Sequence, residues 1–466
     1  MYKPSSNSRQ ASLFWDLETM LDSKHPLFRL ANAVDWSLFE KSFAPLFCAD
    51  NGRPPKPIRL MTGLLMLKHL RNVSDEQVVA QFTENAYYQY FCGLDAFSTS
   101  APCASSELVH FRHRIGEEGV ELILKESIRV NLVIEDRKKE ENDRRNGKDG
   151  RGRKSDKEQT AFIDSTVQEK NVTFPTDSKL LNKITDHCHK VAKAEGIKVR
   201  QSYAREIKCL KLTQRFRGKS HSRKKVARAD RRMRTIAGRL VRELLRKLPS
   251  DSKYREHLEL CLRFVNGEFL DGHKIYSLHE PDVLCICKGK EHKKYEFGNK
   301  VSIIRSATGI ILGARSFRNE YDGHTIEESL RQVERITGEK IKTLAGDRGY
   351  RGKKEVDGTQ ILIPDVPNRK DSYYTRRKKH KLFCKRAGIE PTIGHLKSDF
   401  RLGRNFYKGV FGDAVNLLLA AAAYNFKRAM RLLLRLFRWG LMRLMAEGQW
   451  PVVTCNACTC AHARCF

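Results

Sequence analysis

A stretch without a single apolar side chain constrains most strongly how this chain can fold. Residues 137–157 have the sequence RKKEENDRRNGKDGRGRKSDK, which contains only charged residues, polar residues and glycine. Such a segment cannot bury surface, so we expect residues 137–158 to be a solvated linker. The linker would divide the 466-residue chain into two parts, each long enough to enclose a hydrophobic core.

Before the linker, apolar residues follow helical spacing. An apolar run from Ile58 to Leu70 follows Pro57, and Ser74 with Gln77 forms a capping box that predicts the start of the next helix. We expect residues 1–136 to form an all-α N-terminal domain. Its short helices fit either a helix-turn-helix that reads DNA or an ordinary helical bundle, and both interpretations stay open.

After the linker, strand patterns and helical patterns alternate. Strands are predicted at residues 160–163, 341–344 and 361–363, with a hairpin over 295–317 that turns at residues 307–309. Thr325 with Glu328 predicts a capped helix that ends at Gly338. We expect an α/β domain over residues 159–412, followed by a helix over 413–447 that packs on it.

The charge of the chain is unbalanced and concentrated. Lys and Arg exceed Asp and Glu by 33 overall, and residues 200–247 contain 18 of these cations against three acids. A surplus of this size indicates a polyanionic partner, with nucleic acid ahead of ribosomal RNA or an anionic membrane surface. We expect basic helices here that contact DNA through Arg215, Arg217, Arg223, Lys224, Lys225, Arg231 and Arg232.

Two further patterns concern the environment of the chain. The most apolar segment, residues 414–426, is shorter than a membrane-spanning helix requires, and the N-terminus has no signal-peptide pattern. The thirteen cysteines are mostly scattered, which favours reduced thiols in a cytoplasm. Residues 448–466 form a cysteine-rich tail that we expect to be disordered, with a zinc site as the alternative.

Three acids stand at joints between predicted elements. Asp164 and Asp347 each follow a predicted strand, and Glu390 lies in the helical region after the last strand. Taken singly, each of them fits a turn or a cap. Together, they can converge on one spot and hold two Mg²⁺ or Mn²⁺ ions for phosphoryl transfer.

Two cations share the spacing of Glu390. Arg386, Glu390 and Lys397 are four and seven residues apart, which places all three within about 40° on one helix face. The two cations would hold a DNA strand beside the acid. Pro391 bends any helix that contains it, so this shared face is approximate.

Further polar residues have two interpretations. Asp177 is either a neighbour of the metal site or a residue that caps a helix. Asp322 and His324 fit a turn and a cap, with contact to a DNA strand as the alternative.

The motifs FIDSTV, YDGHT, LAGDRGYRG and IEPTIGHLKSDFRLGRNFYKG, preceded by RPPKPIRLMTGLLMLKHLRNVSDEQVVAQF, together carry a family resemblance. Over roughly residues 40–430 the chain resembles the DDE transposases of bacterial insertion sequences, in the group named after insertion sequence five. The resemblance implies an RNase H-like core in which Asp164, Asp347 and Glu390 are catalytic. It also places Phe383, Arg386, Glu390 and Lys397 on a family signature whose first position is usually tyrosine.

The resemblance implies a function and an inserted module. A bare RNase H-like core needs far fewer residues than lie between Asp164 and Asp347, so we expect a basic helical insertion at about 179–262. The protein would bind terminal inverted repeats and, with two Mg²⁺ ions, cleave DNA and join it to target DNA, as a dimer or larger assembly in the cytoplasm near the nucleoid. The alternatives are an inactive DNA-binding relative and an RNase H-type nuclease.

Overall fold

The computed structural model describes residues 16–48, 54–145, 160–270, 272–287, 294–318, 320–364 and 371–446. These ranges contain fifteen α-helices and seven β-strands. Seven helices precede the first strand, four lie between the first two strands, and four follow the fourth strand. The cysteine-rich tail lies outside the described residues, so its predicted disorder and the alternative zinc site stay untested.

The N-terminal helices begin where the sequence signals predict. Ser74 Oγ accepts a hydrogen bond from the Gln77 amide at 3.1 Å, and Gln77 Oε1 accepts one from the Ser74 amide at 2.9 Å, which confirms the capping box. The helix after Pro57 is buried along almost its whole length, so it is a core helix. The helices are α1 Leu17–Met20, α2 Pro26–Ala33, α3 Trp36–Phe43, α4 Ile58–Leu70, α5 Asp75–Glu84, α6 Ala86–Phe91 and α7 Ser105–Arg145.

Helix α7 differs from the sequence prediction at its end. It is kinked at Gly116, where φ is +67°, a conformation that glycine adopts at little cost. The helix then continues to Arg145, so residues 137–145 are helical although we assigned them to the linker. Lys, Arg and Glu are strong helix formers, and a helix that is already packed can continue into solvent without apolar side chains. Residues 146–158 of the expected linker lie outside the described residues.

The seven strands form one mixed sheet. Strand β3 pairs with β1 on one side and with β2 and β4 on the other, all antiparallel; β5 and β7 follow β1 in parallel, and β6 pairs with β7 antiparallel. The predicted hairpin is confirmed, and Gly309 in its turn has a φ of +101°. The strands are β1 Thr160–Glu169, β2 Leu284–Cys287, β3 Tyr295–Ser306, β4 Ile311–Phe317, β5 Thr343–Ala345, β6 Glu355–Val356 and β7 Thr359–Leu362.

The predicted capping box at Thr325 is wrong. A short 3₁₀ helix, Asp322–Thr325, runs directly into the following α-helix, so Thr325 has helical backbone angles and makes no side-chain cap. Its hydroxyl instead donates to the Asp322 carbonyl at 2.8 Å. The predicted end at Gly338 is confirmed, with φ at +73°. The C-terminal helices are α12 Ile326–Thr337, α13 Tyr373–Arg386, α14 Ile389–Asp399 and α15 Gly409–Ala446.

Helices cover both faces of the sheet. Ile163 and Ile304 lie on one face and pack with buried residues of α12 such as Val333. The opposite face carries Ile303 of β3 and Phe162 of β1, and it is covered by α14, α15 and the N-terminal helices. The arrangement is a helix-rich N-terminal region followed by a mixed sheet between helical layers.

The N-terminal helices do not have a core of their own. A continuous hydrophobic cluster joins residues such as Leu64 of α4 and Leu124 of α7 to Leu418 of α15 and Ile303 of β3. We call this cluster the shared core. The expected division into an N-terminal domain and a separate α/β domain therefore does not correspond to two separate cores.

The segment between β1 and β2 is a helical module. Its helices are α8 Asp177–Ala194, α9 Ala204–Gln214, α10 Arg223–Lys247 and α11 Arg255–Asn266, slightly wider than the expected range 179–262. They pack around their own cluster, which includes Leu181, Leu240 and Leu258. Near its base the buried ammonium of Lys170 lies 3.2 Å from the Glu280 carboxylate, so the two ends of the insertion lie close together.

Helix α15 is the central helix of the shared core. It begins four residues before the predicted position and packs against α7, α4, α2 and β4. By length and composition Gly409–Leu436 is the one stretch among the described residues that would be able to cross a membrane. Of its most apolar window, 78% is buried inside this protein, as in the central helix of a soluble core.

Candidate active site

Two of the three predicted acids lie on neighbouring parallel strands. Asp347 follows the end of β5 as predicted, whereas Asp164 lies inside β1, because this strand continues to Glu169 instead of ending at residue 163. Phe162 of β1 pairs with Ala345 of β5, and Asp164 and Asp347 each come two residues later. Because each acid comes two residues after this pair, both lie at the same level of the sheet, just beyond the end of β5. The strand residues before them are fully buried, so the backbone that carries the acids is fixed.

The third acid is brought to this level of the sheet by one buried side chain. Ile389 packs with Phe162 and Ala345 in a small apolar cluster, and Glu390 is the next residue of α14. Phe383, at the tyrosine position of the signature, lies against the same cluster. The apolar contact therefore docks α14 on the part of β1 and β5 that directly precedes Asp164 and Asp347.

The helix that carries Glu390 is not the continuous one that the spacing suggested. Arg386 is the last residue of α13, and α14 begins at Ile389 after a break at residues 387–388. Pro391 accounts for the position of this break, because a proline in the first turn of a helix loses no backbone hydrogen bond. Glu390 and Lys397 remain together on α14, two turns apart, and Arg386 approaches from a different helix.

Asp164 lies within electrostatic reach of both other acids. Burial raises the pKa of Asp164, the guanidinium of Arg386 lowers it, and the carboxylates of Asp347 and Glu390 raise it further. The Arg386 guanidinium donates to Asp164 Oδ2 at 3.2 Å, and both side chains are mostly buried. The second oxygen of Asp164 accepts from the Ser165 amide at 2.8 Å. Arg386 thus partly compensates a cluster of negative charge.

Asp347 is held by the turn that follows it. Its side chain accepts from the Gly349 amide at 2.9 Å and caps the 3₁₀ helix Arg348–Tyr350. A Cβ on Gly349 would lie 3.0 Å from Asp347 Oδ1 and 3.7 Å from Asp322 Oδ2, so the two carboxylates flank this glycine. Position 349 therefore suits glycine because the carboxylates leave little room.

A fourth acid, Asp322, belongs to the same cluster. Its carboxylate accepts from the Ser165 hydroxyl at 2.8 Å and from the Lys300 ammonium at 2.9 Å. The sequence interpretation as a turn residue is also correct, because Asp322 begins a 3₁₀ helix. Only the pairing of distant segments shows that the turn lies beside Asp164. His324 is exposed and stacks edge-on with Tyr321.

A buried tyrosine lies beneath these acids. Burial raises the pKa of Tyr350, and the carboxylates of Asp322, Asp164 and Asp347 raise it further. Its phenol therefore stays protonated among the three aspartates. Nothing in the sequence LAGDRGYRG distinguishes this tyrosine from a surface residue, so its position was not predictable.

The acids suit a divalent cation by charge and by donor chemistry. Carboxylate oxygens are the ligands that Mg²⁺ prefers, and a cation would relieve the repulsion that raises the pKa of Asp164. Within the described residues, no three or more His, Cys, Asp or Glu side chains are grouped tightly enough to hold one ion. Arg386 supplies the positive charge next to Asp164 in this arrangement.

The predicted DNA-binding cations fall into two sets. Arg217 donates to Ser178 and Asp230, and Arg232 donates to Glu206 at 2.6 Å, so these two are engaged within the insertion. The other predicted cations of the insertion are exposed at the end of α9 and on α10: Arg215, Arg223, Lys224, Lys225 and Arg231. Asp177 lies in the first turn of α8, 2.8 Å from Lys274, and is thus part of the insertion.

Comparison with known proteins separates the chain into two matched regions. A family described as "Transposase domain" matches residues 15–114, which contain α1–α6 and the start of α7. A second family, described as "Transposase DDE domain", matches residues 273–426, which contain β2–β7, α12–α14 and the first half of α15. The chain belongs to the DDE transposases. The DDE match includes Asp347 and Glu390 and begins after β1, which carries Asp164.

This transposase also has a relative among curated proteins. It is 36% identical over 222 residues to a protein of Rhizobium meliloti named "Uncharacterized protein ORF8 in nfe locus". The aligned part covers 47% of the transposase and 97% of that protein. No solved structure matches the chain significantly. Family membership implies DNA as the partner. The name of the relative states no activity.

Proposed function

We propose that this transposase binds the terminal inverted repeats of an insertion sequence, cleaves a DNA strand there and joins it to target DNA. One observation carries the proposal. Asp164, Asp347 and Glu390 come from a strand, the turn after another strand and a helix that are far apart in sequence, yet Asp347 and Glu390 both lie within electrostatic reach of Asp164. In a protein with a net charge of +33, such an acidic cluster suits catalysis on DNA better than DNA binding alone.

The sheet supports an RNase H-like core. Strand order β4-β3-β1-β5-β7, antiparallel over its first three strands and parallel afterwards, agrees with the expectation from the family resemblance. In this order β1 is central and carries Asp164. The insertion leaves the core after β1 and returns before β2. We also propose that the protein belongs to the group named after insertion sequence five.

Asp164, Asp347 and Glu390 would hold two Mg²⁺ ions, with Mn²⁺ as the alternative. When bound, these ions would activate the attacking water or 3′-hydroxyl and stabilise the leaving oxygen. The protein's own groups keep the acids in place. Arg386 orients Asp164, and the Gly349 amide orients Asp347. Lys300 and Ser165 fix Asp322, which we propose as a positioning residue.

Cations would hold the DNA around this site. Lys397 lies about 10 Å along α14 from Glu390, at a rise of ~1.5 Å per residue, which suits a phosphate a short distance from the cleaved bond. When DNA binds, the Arg386 guanidinium would give up its contact with Asp164 and contact a DNA phosphate instead. The exposed cations of the insertion would hold the backbone without regard to sequence. The N-terminal helices would recognise the inverted repeats, and a dimer would bring two ends together in the cytoplasm.

Strand cleavage of a duplex that contains the transposon end tests this proposal. The end is identified by inverted repeats in the DNA that flanks the gene. We expect wild-type protein to cleave with Mg²⁺, and Asp164→Asn and Glu390→Gln to lose at least about 100-fold in rate, since these ligands act together. The variants should bind the same duplex with unchanged or higher affinity.

Asp357→Asn and Glu339→Gln are matched controls. Asp357 lies in the β6–β7 turn at a φ of +48°, a conformation that asparagine tolerates well. Both control variants should cleave at the wild-type rate. Cleavage by the Asp164 and Glu390 variants at that rate would refute the assignment of these acids. Loss of cleavage in the control variants as well would show that the assay reports stability rather than catalysis.

A further inference from the structure

A half-buried arginine lies directly beside the break between α13 and α14. Arg305 of β3 is paired with Phe162 of β1, so it lies on the face of the sheet that carries α14. A Cβ on Gly388 would lie 3.0 Å from Arg305 Nη1, and one on Gly309 would lie 3.1 Å from Nη2. The guanidinium is therefore enclosed between two glycines. One of them, Gly388, comes two residues after Arg386 and two residues before Glu390.

This arginine has no carboxylate partner among the residues that the structure describes. Its Nε is buried without a hydrogen bond, and its neighbour is the neutral hydroxyl of Tyr424. Burial lowers the pKa of Arg305, the Tyr424 hydroxyl opposes this change, and Arg428 adds to the lowering. A buried cation is costly unless an anion compensates it, so the position of Arg305 calls for an anionic ligand.

More cations gather around the same point. Arg305 lines a cleft of about 150 Å³ with Lys427 and Arg431 of α15 and with the end of α14. Burial lowers the pKa of Lys427, and so do Arg71, which directly follows α4, and Arg431. Asp399 is the carboxylate that lines the cleft; it accepts from His395 at 2.9 Å and partly compensates Lys427 and Arg431, so the cations of the cleft outnumber it. Like charges brought together in this way indicate a site for an anion.

We propose that Arg305, Lys427 and Arg431 bind phosphates of the DNA strand that passes the acidic cluster. The proposal rests on the proposed function, because it places this strand on the α14 side of Glu390. A DNA backbone fits better than a single small anion, because the cations extend from the β3–β4 turn along one side of α15. Arg305 would contact the phosphate nearest to the acids, and the two cations of α15 the following ones.

Salt dependence of DNA binding tests the proposal with the full chain. The probe is a fluorescent duplex of arbitrary sequence, titrated between low and physiological salt. The logarithm of affinity falls with the logarithm of salt concentration by about 0.9 for each phosphate contact. We expect Lys427→Gln with Arg431→Gln to weaken binding and to reduce this slope by about 1.8, and Arg305→Met to reduce it by about 0.9.

Lys340→Gln with Lys342→Gln is the matched control, because it removes two charges near the start of β5, at the opposite end of the strand from Asp347. Site variants that bind like this control would overturn the proposal and leave the cleft to an acidic protein partner. Weaker binding with an unchanged slope would indicate a structural role and would also overturn it. If wild-type protein does not bind DNA, the proposed function fails as well. If wild-type protein cleaves DNA but the site variants keep the wild-type slope, only the proposal for the cleft is refuted.

Discussion

The N-terminal helices and the basic insertion are both helical and were both expected to contact DNA, but they are attached in opposite ways. The N-terminal helices share one core with α15 and the sheet. The insertion has its own core and is connected near the point where Lys170 meets Glu280. A part that shares a core cannot move without breaking that core, whereas a part with its own core can be lost or replaced.

This difference assigns different tasks to the two regions. Any DNA end held by the N-terminal helices would lie at a fixed distance from the acids, because α15 packs against α4 and α7 as well as β4. The insertion would add affinity through its exposed cations, with less demand on its exact position. Four predictions test the contrast, from the largest expected effect to the smallest.

Removal of each region should have opposite consequences. A fragment of residues 160–446 exposes the apolar side of α15 that α7 and α4 cover, so we expect it to aggregate or to lack cooperative unfolding. A fragment of residues 172–283 retains the whole insertion core and should be helical and monomeric with its own transition. Circular dichroism and thermal unfolding measure both. A soluble, cooperatively folded 160–446 fragment would contradict the shared core.

Two lysines compare a buried ion pair between the end of β1 and α15 with an exposed ion pair in the insertion. Lys170 lies 2.7 Å from Asp413, with both side chains almost completely buried, so Lys170→Met should cost about 3–5 kcal/mol by removing the buried cation that faces both Asp413 and Glu280. Lys211 lies 2.7 Å from Asp186 at the surface of the insertion, and Lys211→Met should cost less than about 1 kcal/mol. Denaturant unfolding measures both, and equal costs would contradict the contrast.

Two buried leucines test which parts unfold together. Leu64 of the shared core and Leu240 of the insertion are both fully buried, and Leu→Ala should cost about 2–5 kcal/mol at either site. Hydrogen exchange followed by mass spectrometry locates the effect. Leu64→Ala should weaken protection in the N-terminal helices, α15 and β3 together. Leu240→Ala should weaken protection in α8–α11, and spread into the sheet would show that the insertion is not independent.

Acid should destabilise the shared core more steeply than the insertion. Burial lowers the pKa of His69 to about 3, so below pH 6.5 the unfolded chain binds a proton that the folded chain refuses. Stability is complete above pH 6.5 and falls as the pH drops towards 3, by about 3 kcal/mol at pH 4. His69→Gln should remove this part of the pH dependence in thermal unfolding.

The insertion provides the matched histidine. Burial and the neighbouring His257 lower the pKa of the half-exposed His187, so its effect has the same sign and should be smaller. His187→Gln should therefore flatten the pH dependence less than His69→Gln. A larger change from His187→Gln would reverse the comparison.

Local signals in the sequence were sufficient for many elements. The capping box at Ser74, the hairpin around Gly309 and the helix end at Gly338 depend on neighbouring residues, and the structure confirms them. The prediction of a capping box at Thr325 was wrong because a 3₁₀ helix, Asp322–Thr325, directly precedes α12, so Thr325 is not the start of the helical segment. Residues 137–145 of the predicted linker are helical, because charged helix formers can extend a packed helix.

The candidate site was only partly accessible to sequence reasoning. The position of Asp347 after a strand was predictable from an apolar run, whereas Asp164 lies inside β1, which continues past the predicted end into polar residues. The docking of α14 through Ile389 depends on contacts between distant segments, and so does the arrival of Asp322 beside Ser165. The break that separates Arg386 from Glu390 was foreshadowed by Pro391, but its effect on the shared face needed the helix boundaries.

The sequence by itself determined the strong positive charge, the location of much of it in the insertion, and the family to which the motifs point. Those features depend on residue type and spacing along the chain, which need no folding to be visible. Only the tertiary structure decided that the N-terminal helices and the sheet share one core, and that Arg305 lies beside Gly388, two residues before Glu390, without a carboxylate partner among the described residues. Both arise from side chains that are far apart in sequence, and packing alone determines which of them meet.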